Sequence, residues 1–237
     1  MKTIGLIGGM SWESTVTYYE LMNRITAEKL GGFHSARILM YNVDFAEIEA
    51  NMTCGDWDAN AEILADAAMR LEKAGADFIV IATNTIHKLV PAIEKRIGIP
   101  ILHIADAAAE AVKRDGIGKV GLLGTKVTMT QGFIRDRLTA AGLEVIVPDG
   151  QDIDAVNDII FNELCHGKVL DLSREKLKRI ISGMAEKGAG GVILGCTEIG
   201  MLISGTDSAL KVYDTTVLHA TKAAEEAIGT VDASCHP

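Results

Sequence analysis

Lys187-Gly188-Ala189-Gly190-Gly191-Val192-Ile193-Leu194-Gly195-Cys196 and Lys73-Ala74-Gly75-Ala76-Asp77-Phe78-Ile79-Val80-Ile81-Ala82-Thr83 are two versions of one pattern, with Thr83 aligned on Cys196 at an offset of 113 residues. Each passes from a glycine-marked helix end into a short apolar run and stops at a polar residue, as expected of a buried parallel strand entered from a helix. A second pair agrees. Thr3-Ile4-Gly5-Leu6-Ile7-Gly8 is similar to Lys119-Val120-Gly121-Leu122-Leu123-Gly124 at an offset of 116. Two matches at nearly one offset predict a duplicated α/β half. Chance likeness between generic strand–helix units is the alternative, because buried parallel strands share a small vocabulary of residues.

Outward from these stretches, short apolar runs alternate with amphipathic segments, the signature of βα units around a parallel sheet. Strands are expected at 2–8, 36–43, 77–82 and 99–104, and again at 119–124, 144–148, 191–195 and 210–214. Helices are expected at 13–30, ended by Gly31 and Gly32, and at 60–74, where Ile63, Leu64, Ala67 and Leu71 share a face and Gly75 supplies the stop. Pro91 is placed in the first turn of a helix, where its missing N–H costs nothing. The predicted fold is therefore α/β, with two Rossmann-like parallel-sheet domains related by pseudo-twofold symmetry. The N-terminal domain is expected to hold residues 1–104 plus 215–237, and the second domain residues 105–214. A cleft between two such halves is a usual ligand site, and the symmetry would set Thr83 opposite Cys196.

Bulk properties narrow the function classes. The 237 residues are 48% apolar and 23% charged with a net charge of −9, and Lys and Arg are scattered. The basic footprint needed for nucleic acid or an anionic membrane surface is missing. The opening run MKTIGLIGGM is short and broken by glycines, so it reads as a first strand rather than a leader. No apolar stretch approaches the roughly eighteen residues of a membrane span. A cytoplasmic protein is expected. Four cysteines, Cys54, Cys165, Cys196 and Cys235, form no CxxC and have no His at ligand spacing, which speaks against a metal site or a thioredoxin-like motif. Cys165, in the apolar segment IIFNELC, is expected to be a small buried hydrophobe, and Cys54 and Cys235 incidental.

Ligands of open α/β sheets bind beyond the carboxyl ends of the strands. Four polar segments have that position: Gly8-Gly9-Met10-Ser11, Thr83-Asn84-Thr85, Gly124-Thr125-Lys126-Val127-Thr128 and Cys196-Thr197-Glu198. Paired loops of this kind suit inversion of a stereocentre, which needs one group to take a proton from one face of the α-carbon and another to return one to the opposite face. A thiol is apt, since its pKa can be lowered by helix N-termini and neighbouring donors, leaving a thiolate in a dry site. Small hydroxyl and amide groups with backbone N–H groups would hold the substrate carboxylate and the charge that develops on it. This chemistry calls for no cofactor. The GLIGGM loop is neither GxGxxG nor a P-loop, and no acidic residue ends the second strand in the dinucleotide position.

At the segments Gly8-Gly9-Met10-Ser11-Trp12-Glu13-Ser14, Ala82-Thr83-Asn84-Thr85-Ile86-His87-Lys88 and Gly195-Cys196-Thr197-Glu198-Ile199-Gly200 the chain resembles the aspartate/glutamate racemase superfamily. It is especially similar to the broad-specificity amino-acid racemase branch, over essentially the whole chain to about Glu225. The resemblance implies two pseudo-symmetric Rossmann-like domains, no pyridoxal phosphate, a two-base mechanism and a homodimer. It makes Cys196 the second catalytic residue and puts Thr83 where many members have the first catalytic cysteine. Met10, Ser11, Asn84, Thr85, Thr197 and Glu198 match positions that contact the substrate or flank the catalytic pair. A threonine at this place occurs in that branch and implies a working but kinetically asymmetric racemase. Thr83 needs help as a base, for which helix N-terminal N–H groups and a relay to Glu198 or His87 are the candidates.

Other polar residues have two readings each. Thr125 joins the substrate loops by position. Lys168 either pairs with an acidic substrate side chain, as a nearby Lys does in aspartate-specific members, or is solvated surface. The segment Asn42-Val43-Asp44-Phe45-Ala46-Glu47-Ile48-Glu49 lacks the Arg that those members carry, so a bidentate carboxylate clamp is absent there. A broader pocket follows, with Met52 placed in its lining. His87 is a relay or a structural hydrogen-bonding group, and His103, on the 99–104 strand, is expected to be structural. Trp12 and Trp57 are expected to pack. The predicted function is interconversion of L- and D-amino acids by Cys196 and Thr83. The alternatives are a single-thiol decarboxylase or isomerase of the arylmalonate decarboxylase kind and a non-catalytic small-molecule-binding relative.

Overall fold

The computed structural model describes residues 1–229. By internal packing the described residues separate into two units, one built from Met1–Ala82, Leu89–Leu102 and residues 219–229, the other from Thr83–Lys88 and His103–Leu218. The loop Thr83–Lys88 thus packs with the second unit although the strand before it belongs to the first.

The first unit begins with β1 (Thr3–Gly8), α1 (Trp12–Leu30), β2 (Arg37–Asn42), α2 (Phe45–Cys54), α3 (Trp57–Lys73) and β3 (Phe78–Ile81). After the Thr83–Lys88 excursion come α4 (Val90–Ile93), with Pro91 in its first turn, and the two-residue β4 (Ile101–Leu102). The four strands are parallel in the order β2-β1-β3-β4. The central strands β1 and β3 are almost wholly buried, while the edge strand β2 has only exposed and half-buried residues. Near-continuous apolar strands are what helix-covered parallel sheets require.

The second unit repeats this plan with α5 (Ile104–Arg114), β5 (Lys119–Gly124), α6 (Lys126–Thr130), α7 (Gly132–Ala140), β6 (Glu144–Ile146), α8 (Gly150–Asn162), α9 (Asp171–Glu186), β7 (Gly191–Gly195) and β8 (Lys211–Asp214). Its order, β6-β5-β7-β8, has the same connectivity as the first sheet, so β1 corresponds to β5 and β3 to β7, as the two sequence matches require. Val120, Leu122 and Ile193 face one apolar cluster with Ile104, Ala108 and Leu138, whereas Leu123, Val192 and Leu194 face another with Val156, Ile160, Leu177 and Ile181. The alternation of residues on each strand thus supplies a core on both sides of the sheet. Helix α10 (Thr215–Ile228) closes the described chain, and its Ala220, Ala223 and Ala224 pack in the first unit's core with Ile4, Leu6, Tyr18 and Val80. No helix among the described residues is long and apolar enough to cross a membrane.

The two matched glycines at the ends of β1 and β5 play one role. A Cβ on Gly8 would meet Thr15 Cγ2, and a Cβ on Gly124 would lie 2.7 Å from Gly195 O and 2.9 Å from Thr128 Cγ2. Each strand end must pass against a threonine of the helix that follows, and only glycine allows that approach.

Several expectations need correction. The 99–104 strand stops at Leu102 because His103 leaves the strand to cap α5, its Nδ1 accepting from Ala105 N at 3.1 Å. α3 starts at Trp57 rather than at residue 60, because the Asp56 side chain accepts from Ala59 N and caps the helix. Cys165 is exposed, not buried: it lies in a short 3₁₀ turn whose buried position is taken by Leu164. Trp12 is 63% exposed and does not pack in the core. Cys235 lies outside the described residues.

Candidate active site

In the first unit the loop between β1 and α1 is organised by hydroxyls. Thr15 Oγ1 accepts from Gly9 N at 2.8 Å and donates to Ser11 O at 2.9 Å, and Ser11 Oγ accepts from Ser14 N as the N-cap of α1. Met10 is buried beside them. Met52 is half-buried in the last turn of α2.

The second unit brings together the other candidates. Cys196 follows β7, is 7% exposed, and donates from Sγ to Glu198 Oε2 at 3.0 Å. The same carboxylate oxygen accepts from Thr197 Oγ1 at 2.6 Å. The turn is held by Ile199 N donating to Cys196 O, by buried Ile199, and by Arg174, whose Nη1 donates to Leu202 O at 2.9 Å. Burial pushes the Cys196 thiol well above its ordinary pKa, and the Glu198 carboxylate adds to this by charge and by accepting the thiol proton. The lowering that helix N-termini and neighbouring donors can give a thiol is thus outweighed here by burial and the adjacent carboxylate. β7 runs into a 3₁₀ turn, Ile199–Met201, so the N-terminus of a long helix is not there to favour a thiolate, and an anion occupies its place.

Thr83 is half-buried in a loop that also runs into a 3₁₀ turn, Thr85–Leu89, and it likewise lacks a long helix N-terminus behind it. Four hydrogen bonds seat the loop. Asn84 Nδ2 donates to Thr215 Oγ1 at 3.0 Å, the Thr85 and Thr125 hydroxyls meet at 3.2 Å, and His87 joins Thr83 to the start of α5. The Ile104 N–H points at His87 Nε2 at 3.2 Å, so that nitrogen accepts and the proton sits on Nδ1, which donates to Thr83 O at 2.7 Å. Both ring nitrogens are engaged with backbone, and the ring stacks edge-on against His103 with centroids 4.6 Å apart. His87 thus fixes the carbonyl of Thr83 rather than relaying a proton to its hydroxyl.

Thr125 caps α6, accepting from Thr128 N at 3.3 Å, with the two hydroxyls 3.1 Å apart. Lys168 is exposed on the turn after α8, its backbone N donating to Glu163 O at 3.0 Å. Two residues not singled out from sequence belong to this neighbourhood. Thr215 is buried between the Thr83 loop and β7, donating to Leu194 O at 2.7 Å. Asp214, half-buried, accepts from Thr216 N and Val217 N, and burial raises its carboxyl pKa against the pull of those N–H groups. The Asp-Thr-Thr string at the end of a strand was the available signal, being a typical helix start.

Residues 7–223 match the family model described as Asp/Glu/Hydantoin racemase. The broad specificity amino-acid racemase RacX of Bacillus subtilis (strain 168) is 28% identical over 164 residues, 67% of this chain and 68% of that protein. A solved protein from Yersinia pestis, provisionally assigned as an Asp/Glu racemase, is 50% identical with a TM-score of 0.92, covering 97% of this chain and 100% of its own. An aspartate racemase homologue from Pyrococcus horikoshii OT3 is 37% identical with a TM-score of 0.85 over 97% and 100% of the two chains.

Proposed function

The chain belongs to the Asp/Glu/hydantoin racemase family, and from that premise we propose that it is a cofactor-independent racemase interconverting L- and D-amino acids through Cys196 and Thr83. The observation that carries the reading is the buried Cys196 thiol donating to Glu198 Oε2 at 3.0 Å. A buried thiol that rests protonated needs an adjacent base before it can remove an α-proton, and the carboxylate stands within transfer distance.

In the proposed cycle Glu198 takes the thiol proton, and the thiolate takes the α-proton from one face of the substrate. The resulting carbanion, its charge spread onto the substrate carboxylate, takes the hydroxyl proton of Thr83 on the other face. Thr83 regains a proton from solvent water, and Glu198 releases its own to solvent. An alcohol serves better as the donor in this step than, as an alkoxide, as the base of the reverse step, so turnover should be faster when Cys196 removes the proton. The Thr85 and Thr125 hydroxyls and the backbone N–H groups of these loops would hold the carboxylate. Aspartate, glutamate and several other amino acids are the candidate substrates.

One observation favours a second reading. A thiol resting in its acid form is also suited to protonating a single face of an enolate after loss of CO₂, which needs no partner at position 83. Incubation with a panel of L-amino acids in D₂O separates the two. Racemisation gives deuterium at Cα together with loss of optical rotation, and Cys196→Ala abolishes both. CO₂ release from an arylmalonate without α-exchange on any amino acid would replace the racemase reading. Binding without either reaction would make the chain a non-catalytic relative.

A further inference from the structure

Asn84 is 3% exposed and its Oδ1 is buried with no hydrogen-bond partner among the described residues. Its Nδ2 donates to Thr215 Oγ1 at 3.0 Å, and Thr215 Oγ1 donates to Leu194 O at 2.7 Å. A threonine hydroxyl has one proton to give. With that proton spent on Leu194 O, Thr215 faces Asn84 only as an acceptor, so the amide nitrogen must face it and Oδ1 must point away. Turning the amide over would set two acceptors against each other, or draw the hydroxyl proton off Leu194 O, and either outcome leaves a buried acceptor without a donor.

We infer that Thr215 is a positioning residue for the reaction, locking the Asn84 amide so that Oδ1 is presented as an acceptor to the α-ammonium group of an amino-acid substrate. This rests on the racemase reading and sharpens it. Buried acceptors seldom stay unpaired, and an orphan held open by a fixed network is suited to a donor that arrives from outside. An ammonium brings three N–H groups, whereas the methylene of a des-amino acid brings none. The anchor is Leu194, on β7 two residues before Cys196, so the chain Asn84–Thr215–Leu194 ties the loop of Thr83 to the end of the strand that leads into the thiol.

The test compares amino acid with des-amino acid. Deuterium exchange by the wild type selects the working substrate among L-aspartate, L-glutamate and L-alanine. Its KM is then set against the inhibition constant of succinate, glutarate or propionate, respectively. In Thr215→Val the preference for the amino acid should fall at least about tenfold, the low end of a hydrogen bond to a charged group. The loss should come through KM, with inhibition by the des-amino acid unmoved, and Thr215→Ser, which keeps the hydroxyl, should restore it. Thr215→Ala takes the place of the valine variant should that not fold, and Asn84→Ala should lose the same preference. Thr215→Val retaining the preference overturns the assignment, as does equal weakening of amino and des-amino acids, or failure of serine to rescue. A wild type that labels and binds none of the amino acids overturns the racemase reading itself, and the assignment with it.

Discussion

Replacing Glu198 by glutamine should move two observables in opposite senses. The carboxylate oxygen lies 3.0 Å from Cys196 Sγ, and both its charge and its acceptance of the thiol proton hold the thiol up. Two unit charges at that distance interact by at most about 5.5 kcal/mol at an effective dielectric constant of roughly 20. Glu198 is only half-buried, so solvent screens a good part of this. The pH of half-alkylation of Cys196 should then fall in Glu198→Gln, because both the charge and the acceptor that favour the protonated thiol are removed. Burial, the larger cause, is untouched, so the thiol stays above its ordinary range. Activity should fall even as the thiolate becomes easier to form, by about 10²-fold or more in kcat, because the group that accepts the proton is gone. Iodoacetamide labelling of Cys196 across pH 6 to 11, followed by peptide mass analysis with Cys196→Ala as blank, reads the first quantity, and α-deuterium exchange reads the second. A labelling midpoint that stays put or rises in Glu198→Gln refutes the argument, since Glu198 would then be a substrate contact with no hold on the thiol.

Thr83→Cys, with the fold intact by circular dichroism, should raise the rate in the direction that needs a base at position 83, because a thiolate is far more accessible than an alkoxide; an unchanged ratio of forward to reverse rates would remove Thr83 from the mechanism. In the first unit, Tyr18 Oη meets His219 Nδ1 at 2.9 Å while His219 Nε2 is bonded to Leu102 O at 2.8 Å, both rings being fully buried. Tyr18→Phe leaves Nδ1 without that donor and should cost about 1–3 kcal/mol in urea unfolding. Asp214 has a folded-state pKa raised by burial, so its ionisation disfavours the fold, and that penalty is relieved as pH falls through the raised value. Asp214→Asn keeps the cap on Thr216 N and Val217 N without the charge and should match or exceed the wild-type Tm at pH 7, with the difference vanishing at low pH. The buried thiol gives the opposite end of the curve. The unfolded chain ionises Cys196 near pH 8.5 while the folded chain does not, so stability should decline above that pH and decline less in Cys196→Ala.

Much of the fold was legible because it depends on composition over short windows. Buried parallel strands must be apolar throughout, and β1, β3, β5 and β7 announced themselves as such, with Thr83 and Cys196 at the ends of corresponding strands. Membership of the racemase family followed from three loops in order. Position along the chain gave away less where one residue had two possible partners. His103 looked like strand because its neighbours are apolar, yet its ring found a backbone N–H to cap. Cys165 looked buried in an apolar run, and Leu164 took that place. The tertiary structure alone decided the state of the thiol. A strand end was expected to feed a helix whose N-terminus favours a thiolate, but a 3₁₀ turn and a carboxylate stand there, and burial with a nearby anion favours the proton. It alone also disclosed Thr215, 131 residues from Asn84 along the chain, since a hydrogen bond across that separation leaves no trace in local pattern. Sequence determined which groups stand at the strand ends; packing and hydrogen bonding determined which of them hold a proton, because protonation depends on burial and neighbouring charge, which only the folded chain creates.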